Sequence, residues 1–504
     1  MALFALLGRL SYLFEPFGTD SSMFIYMGKL VTAGGRVGVE LVDNKFPTVG
    51  LLTSGAWRLF GSCWSAYVIL QTLMAVIAAA LLARSVRRCF GAHAAIPTAL
   101  FALIYFNFSL AVGGGFQLET LQAFFATIAA AATLPALFED DGRDSFLVGL
   151  SAGTAMMLKP SSIAVLAAFA LAAMVHWRLR PGRLVTHAAL ALAGLAIPAA
   201  VSFVYFTQAD LIKELPAIWR QVASYAAHSR LEWWDIGKWI VVIAIAAFPF
   251  LVRGVIFRRK EDSAAVFYPP AALVFGLTWL VIEVAGVVAQ KRMYPYHFFV
   301  LTPPIALLFG MLPRSDRLLP LVAALGLPLL LSLYGGWCLF DKFNPRSDRL
   351  ATSDYFATHA APGDAVWQDY MMRLLVETDL QPGSRYCTTF LWANDENAAH
   401  FYSQALLRDL AARRPRYIVL PTALDAYIAK ICAQLRELEL DPIRRANYIE
   451  AWAALRSYVS ENYVAEAQVG HETIFRRLGA SSATPNTGRS VRLLFIGGDR
   501  TRRG

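Results

Sequence analysis

Apolar residues run in long stretches along the first two thirds of the chain and thin out after about residue 340. A bilayer core about 30 Å thick takes roughly 20 apolar residues per helix. On that scale the pattern predicts spans near 1–14, 65–83, 93–112, 117–137, 146–158, 161–176, 184–206, 238–257, 264–289, 297–312 and 318–339. The first, Met1–Phe14, is short, carries Arg9, and lacks the basic start and small-residue cleavage site of a signal peptide. Lys159-Pro160 interrupts the run from 146 to 176. A single crossing there would need strong tilt, so two passes meeting at Lys159-Pro160 are expected.

Beyond Phe340 the periodicity changes. Ala365-Val366-Trp367 reads as a short strand, and Leu406, Leu407 and Leu410 keep helical spacing. Arg416–Leu420 is a β-rich run stopped by Pro421, and Val464–Val469 with Thr473–Leu478 forms a hairpin around Gly470-His471. The expected fold class is therefore an all-α polytopic membrane protein of about eleven helices over 1–340, followed by a small soluble α/β domain over 341–478. Residues 479–504, with five arginines, read as a flexible tail.

Composition sharpens this picture. Of 504 residues 57% are hydrophobic and 16% charged, against roughly 45–50% and 25% in soluble chains. That excludes disorder and a small disulfide scaffold. The net charge of +10 suits nucleic acid or a membrane surface; the apolar excess favours the membrane, and no nucleic-acid partner is expected. Arg84, Arg87 and Arg88, then Arg178, Arg180 and Arg183, then Arg258, Arg259 and Lys260, then Arg314 and Arg317 follow alternate spans. All four clusters fall on one side only if Lys159-Pro160 is a turn, and that side is cytoplasmic by the positive-inside rule. The loops 15–64, 113–116, 159–160, 207–237 and 290–296, and the C-terminal domain, then face outward. Cys387 and Cys432 lie in that domain and could pair, although two unpaired thiols are the favoured reading.

The candidate chemistry is on the outward side. Asp20 follows the first span beside Ser21 and Ser22, residue types that also cap helices. Met23 to Thr32 reads as a helix lying on the membrane and stopped at Gly34-Gly35. Asp43-Asn44-Lys45-Phe46-Pro47 follows, where Asp43 and Lys45 could equally be a solvated turn. Glu119 opens the fourth span, where a carboxylate also suits the helix dipole. Lys159, Lys291 and Arg292 are cations at span ends on the side where the topology rule does not favour them, although such side chains also snorkel. Glu283 is an ionisable group inside a span and a candidate by position alone, with an outer cation as its mundane partner.

The order of a short membrane helix, an aspartate, about twenty residues ending in Gly-Gly, and then Asp-x-Lys-x-Pro resembles the protein O-mannosyltransferase superfamily of GT-C membrane glycosyltransferases. Its bacterial members include the lipid A aminoarabinose transferase and rhizobial galacturonosyltransferases of the lipopolysaccharide core. Members commonly read Asp-[Lys/His]-Pro-Pro where this chain has Asp43-Asn44-Lys45-Phe46-Pro47, so the match there is approximate. Gln117-Leu118-Glu119, Lys159-Pro160, and the segment Lys291 to Phe299 followed by Pro303-Pro304 agree with the family in order, over about residues 10–340.

The resemblance implies a bacterial inner-membrane enzyme, active on the periplasmic face. It would move a sugar, with inversion, from a polyprenyl-phosphate donor to a hydroxyl of lipid A or lipopolysaccharide, another envelope polysaccharide, or protein. It implies Asp20 as general base, Asp43 at the acceptor, Lys159 and Arg292 on the donor phosphate with Lys291 assisting, and His297, Glu119 and Tyr294 around phosphate and sugar. It points to the metal-independent branch, so no metal or cofactor is expected, although Asp20, Asp43 and Glu119 could in principle converge on a divalent cation. A lipid or glycan transporter is the alternative. It would show related halves and midplane binding groups; the sequence has no internal repeat.

Overall fold

The computed structural model describes residues 18–43, 45–107, 116–220, 268–289, 295–312, 348–393, 396–435 and 441–479, with a few isolated positions besides. The predicted spans at 1–14, 238–257 and 318–339, and residues 480–504, lie almost wholly outside these.

Two short helices, α1 (Thr19–Thr32) and α2 (Thr48–Phe60), precede a bundle. The bundle holds α3 (Trp64–Phe90), α4 (Ala92–Phe106), α5 (Leu118–Phe138), α6 (Gly142–Leu158), α7 (Ile163–His176), α8 (Pro181–Gln208), α9 (Pro270–Ala289) and α10 (Thr302–Gly310). Among the described residues α3, α5, α8 and α9 are long and apolar enough to cross a membrane. Helix α5 is the innermost of these four, with 78% of its apolar window buried, against 22% for α8. Leu192 and Phe203 of α8 are accordingly exposed, as lipid-facing positions should be. Helices α6 and α8 touch backbone to backbone: a Cβ on Gly149 would sit 1.7 Å from the Ala191 carbonyl oxygen, and one on Gly194 2.0 Å from that of Phe146. Small residues are what allow such an approach between membrane helices.

The stretch 142–176 is two helices that reverse at Lys159-Pro160. Lys159 is extended (φ −151°, ψ 120°), and Pro160 lacks the N–H needed to continue α6. Pro160–Ser162 forms one 3-10 turn, and α7 then returns. Its last residue, His176, packs edge-on against Phe138, ring centroids 5.3 Å apart. Trp177 stacks on His187 at 4.2 Å, and His187 Nε2 lies 2.9 Å from Asp140 Oδ1. Residues 138–142 and 176–187 therefore share one end of the bundle. Arg88 pairs with Glu139 there, which brings the first two arginine clusters to the same end.

The C-terminal unit is a five-stranded mixed sheet in the order β2-β1-β3-β5-β4, with β1 (Ala365–Gln368), β2 (Gln381–Pro382), β3 (Tyr417–Pro421), β4 (Tyr463–Val469) and β5 (Glu472–Arg477). Strand β1 runs parallel to β2 and β3, and β5 closes antiparallel on β3 as one arm of the expected hairpin. Helices α11 (Asp348–His359), α12 (Met372–Glu377), α13 (Ala398–Arg413), α14 (Leu424–Gln434) and α15 (Pro442–Asn462) complete it. Cys387 and Cys432 are both free and buried.

Helix α1 corrects one expectation. It stops where the glycines require, with Gly34 at φ +84° and the Gly35 N–H donating to Leu30 O at 2.8 Å. It does not lie on a membrane surface, since Phe24, Ile25 and Met27 are at most 2% exposed. A helix apolar on most faces belongs inside a protein. Helix α2 covers one side, so tightly that a Cβ on Gly28 would meet Thr53 O at 2.6 Å. The C-terminal unit meets another: Lys29 Nζ donates to the carbonyl oxygens of Leu375 and Thr378, the latter at 2.7 Å. Burial holds the Lys29 pKa below its usual value, opposed by Asp379. Further along, the Val42 N–H donates to Arg385 O at 2.9 Å. Lys29→Met should strand the two carbonyls, at about 1–3 kcal/mol. Faster amide hydrogen exchange over 372–379 is the expected reading, and unchanged exchange would count against this anchor.

Candidate active site

Opposite the arginine end, the bundle gathers a set of charges. Asp20 sits in the first turn of α1. The N-cap of that helix is Gly18, and no side chain caps it, so the capping explanation of Asp20 fails. Burial pushes the Asp20 carboxyl above the ordinary carboxylate range; the Lys45 cation works against this and Glu119 adds to it.

Asp43 is held in a turn: its Oδ1 accepts the Lys45 backbone N–H at 3.0 Å and lies 3.9 Å from Lys45 Nζ. The Asp43 side chain is only 8% exposed, so this is no solvated turn. Val42 bridges to Tyr386, so the C-terminal unit straps the Asp43 loop in place. Lys45 thus links the two aspartates electrostatically.

Glu119, in the first turn of α5, accepts from Lys159 Nζ at 3.3 Å, and His297 Nε2 lies 3.8 Å from the same oxygen. Lys159 reaches it from the α6–α7 turn and His297 from a 3-10 helix, Pro295–Leu301, after α9. Glu119, Lys159 and His297 line one narrow cleft, together with Gln122, Ser161 and Glu283. Lys291, Arg292 and Tyr294 lie outside the described residues. Among the described residues no three His, Cys, Asp or Glu side chains gather as metal ligands, so Asp20, Asp43 and Glu119 form no such cluster.

Residues 44–206 match the family described as dolichyl-phosphate-mannose-protein mannosyltransferase. The solved structure of ArnT from Cupriavidus metallidurans bound to undecaprenyl phosphate superposes with a TM-score of 0.60 at 12% identity, covering 96% of this chain and 98% of that one. The apo form of ArnT from the same organism gives 0.59 at 13% identity, covering 94% and 97%. No curated protein matches the sequence. The chain has the GT-C glycosyltransferase fold. Family match and fold together indicate a membrane glycosyltransferase.

Four features of this site go beyond the roles assigned from sequence. Lys45 was read with the loop rather than with the site. Gln122 follows Glu119 by three residues, one helical turn further along the inner face of α5. Glu283, a candidate by position, accepts from Trp279 Nε1 at 3.2 Å and shares the cleft with Lys159, one of the outward-side cations. Tyr370 of the C-terminal unit is close enough to Asp20 for that charge to help raise its phenol pKa, after burial and Asp369. Its backbone is left-handed at φ 57°, a strained conformation for a bulky residue and one that concentrates at functional sites.

Proposed function

We propose that the protein transfers a sugar from a polyprenyl-phosphate donor to an acceptor hydroxyl, with inversion, on the periplasmic face of a bacterial inner membrane. The observation that carries this is the half-buried carboxyl of Asp20, at the same end of the bundle as a cleft walled by Lys159, Glu119 and His297. A neutral hydroxyl is a poor nucleophile, so Asp20 takes its proton as the acceptor oxygen bonds to the anomeric carbon. The bond from that carbon to the donor phosphate breaks, and the electron pair leaves on the polyprenyl phosphate. Lys159 and Arg292 stabilise that charge, with Lys291 and Tyr294 completing the phosphate end. Asp43, braced by Lys45, orients the acceptor. The bound lipid named for the ArnT structure, undecaprenyl phosphate, supports a lipid-phosphate donor. The acceptor class is lipid A or lipopolysaccharide, another envelope glycan, or protein. Comparing envelope glycans by mass spectrometry with and without the protein tests the reading; identical glycans would sink it.

A pH profile gives a second test. A base must be ionised, and burial raises the Asp20 pKa. The acid limb of kcat should therefore fall at a pH above about 4, the ordinary carboxylate value. Activity that stays flat down to about pH 4 would remove Asp20 from this role.

A further inference from the structure

Tyr370 has no task in the scheme above, yet its position is tightly imposed. It follows β1 by two residues and precedes α12 by two, at a strand-to-helix turn. Its backbone is left-handed, at φ 57°, and a bulky residue keeps that conformation only where its surroundings over-determine it. Here they do. On one side Asp369 accepts from the Thr389 N–H, the Thr389 hydroxyl and the Tyr427 hydroxyl, each at 2.8 Å. The Tyr448 hydroxyl lies 3.0 Å behind that of Thr389. On the other side the Tyr370 N–H donates to Cys387 O at 3.0 Å. A strained strand-to-helix turn lifts one side chain clear of the end of a sheet.

That end of the sheet meets the loop that carries Asp43. Strands β2 and β3 flank β1 and run parallel to it, and ligands of such sheets bind outside the carboxyl ends of the strands. The chain leaving β2 at this edge reaches Arg385, whose carbonyl oxygen holds the Val42 N–H at 2.9 Å, one residue before Asp43. Helix α12 packs on α1, the helix that carries Asp20. The Asp20 charge accordingly acts on the Tyr370 phenol, which is half-buried. Burial and the adjoining Asp369 carboxylate hold the phenol pKa well above the usual tyrosine value, against a hydrogen bond from Thr388. The phenol therefore keeps its proton at neutral pH. With Thr388 donating into its oxygen, its own O–H remains to donate to a ligand. We infer that Tyr370 is an acceptor-positioning residue: from the C-terminal unit its phenol closes the Asp20 side of the site and donates a hydrogen bond to an acceptor oxygen beside the hydroxyl that Asp20 deprotonates. The inference rests on the transfer reading under Proposed function, and it makes the C-terminal unit part of the acceptor site.

Envelopes from cells lacking the protein carry its acceptor unmodified, and the lipid extract of the same cells carries the donor. The test measures transfer by the full chain in lipid nanodiscs against dilutions of those envelopes, with that extract as donor and mass spectrometry of the glycans as readout. Tyr370→Phe keeps the ring and removes only the O–H. Its half-saturating envelope concentration should rise about tenfold, the upper end for one hydrogen bond. The kcat at saturating envelopes, the acid limb of its pH profile and the affinity for bare undecaprenyl phosphate should stay as in the wild type. Tyr463→Phe is the structural control. It loses a bond to Pro415 O, 2.9 Å long, elsewhere in the same unit, so it should melt lower with half-saturation unchanged. The inference is overturned if Tyr370→Phe half-saturates with the wild type, if its acid limb moves while half-saturation does not, or if Tyr463→Phe weakens acceptor use equally. Absence of transfer by the wild type would instead refute the transfer reading itself.

Discussion

Asp20→Asn should fold, reach the membrane and bind undecaprenyl phosphate as the wild type does, while kcat for sugar transfer falls by about 10²–10⁴, the usual contribution of a general base. The change conserves shape and removes only the charge and proton affinity. Its effect on stability is opposite in sign to its effect on rate. Burial raises the Asp20 pKa in the folded state, so folded protein binds the proton more readily than unfolded protein does. Stability from this group is present below the unfolded pKa and is lost as pH rises through the folded one. At neutral pH the ionised carboxylate is therefore a burden on the fold. Asparagine removes that burden, so the variant should melt no lower than the wild type at pH 7. An inactive variant that also unfolds early would mean that Asp20 holds structure rather than protons. A variant with wild-type turnover would show that the acceptor is deprotonated elsewhere.

Much of this arrangement is legible in the sequence, because membrane helices announce themselves by length and apolarity. The turn at Lys159-Pro160 is the instructive case. One proline inside a long apolar run has two local explanations, a kink or a reversal, and only the side on which later arginines fall separates them. The position of His176 beside Phe138 settles it for reversal. Helix α1 shows the limit. Apolarity on most of its positions was visible, but whether lipid or protein covers it depends on α2 and α12, which approach from distant parts of the chain. Helix α15 shows another. Tyr448, Trp452, Leu455 and Val459 form a buried stripe at helical spacing, diluted in the sequence by exposed charges around it. At the site, single charged residues near span ends could be found by sequence, since the topology rule makes them conspicuous. Their grouping could not. Glu119 and Lys159 meet across 40 positions, and Glu283 joins them only because α9 packs beside that turn.

Lys159 supports the other large prediction. Lys159→Ala alone removes the proposed phosphate cation and also leaves Glu119 buried, with His297 Nε2 at 3.8 Å and the more distant Lys45 charge still acting on it. Breaking a buried ion pair from one side costs about 3–5 kcal/mol. Lys159 keeps 23% of its side chain exposed, so the lower end of that range is expected. The single variant should therefore melt early and bind undecaprenyl phosphate about 10–100-fold more weakly, the range for losing hydrogen bonds to a charged group. Glu119→Gln in the same chain withdraws the stranded charge. If the pair serves only the fold, the double variant recovers both melting temperature and lipid affinity. If Lys159 holds the donor phosphate, melting recovers and affinity does not, because no substitution at 119 returns the missing cation. A double-mutant cycle in thermal stability, run beside one in undecaprenyl phosphate affinity, separates the two outcomes. Coupling between positions 119 and 159 should be large in the first cycle and small in the second.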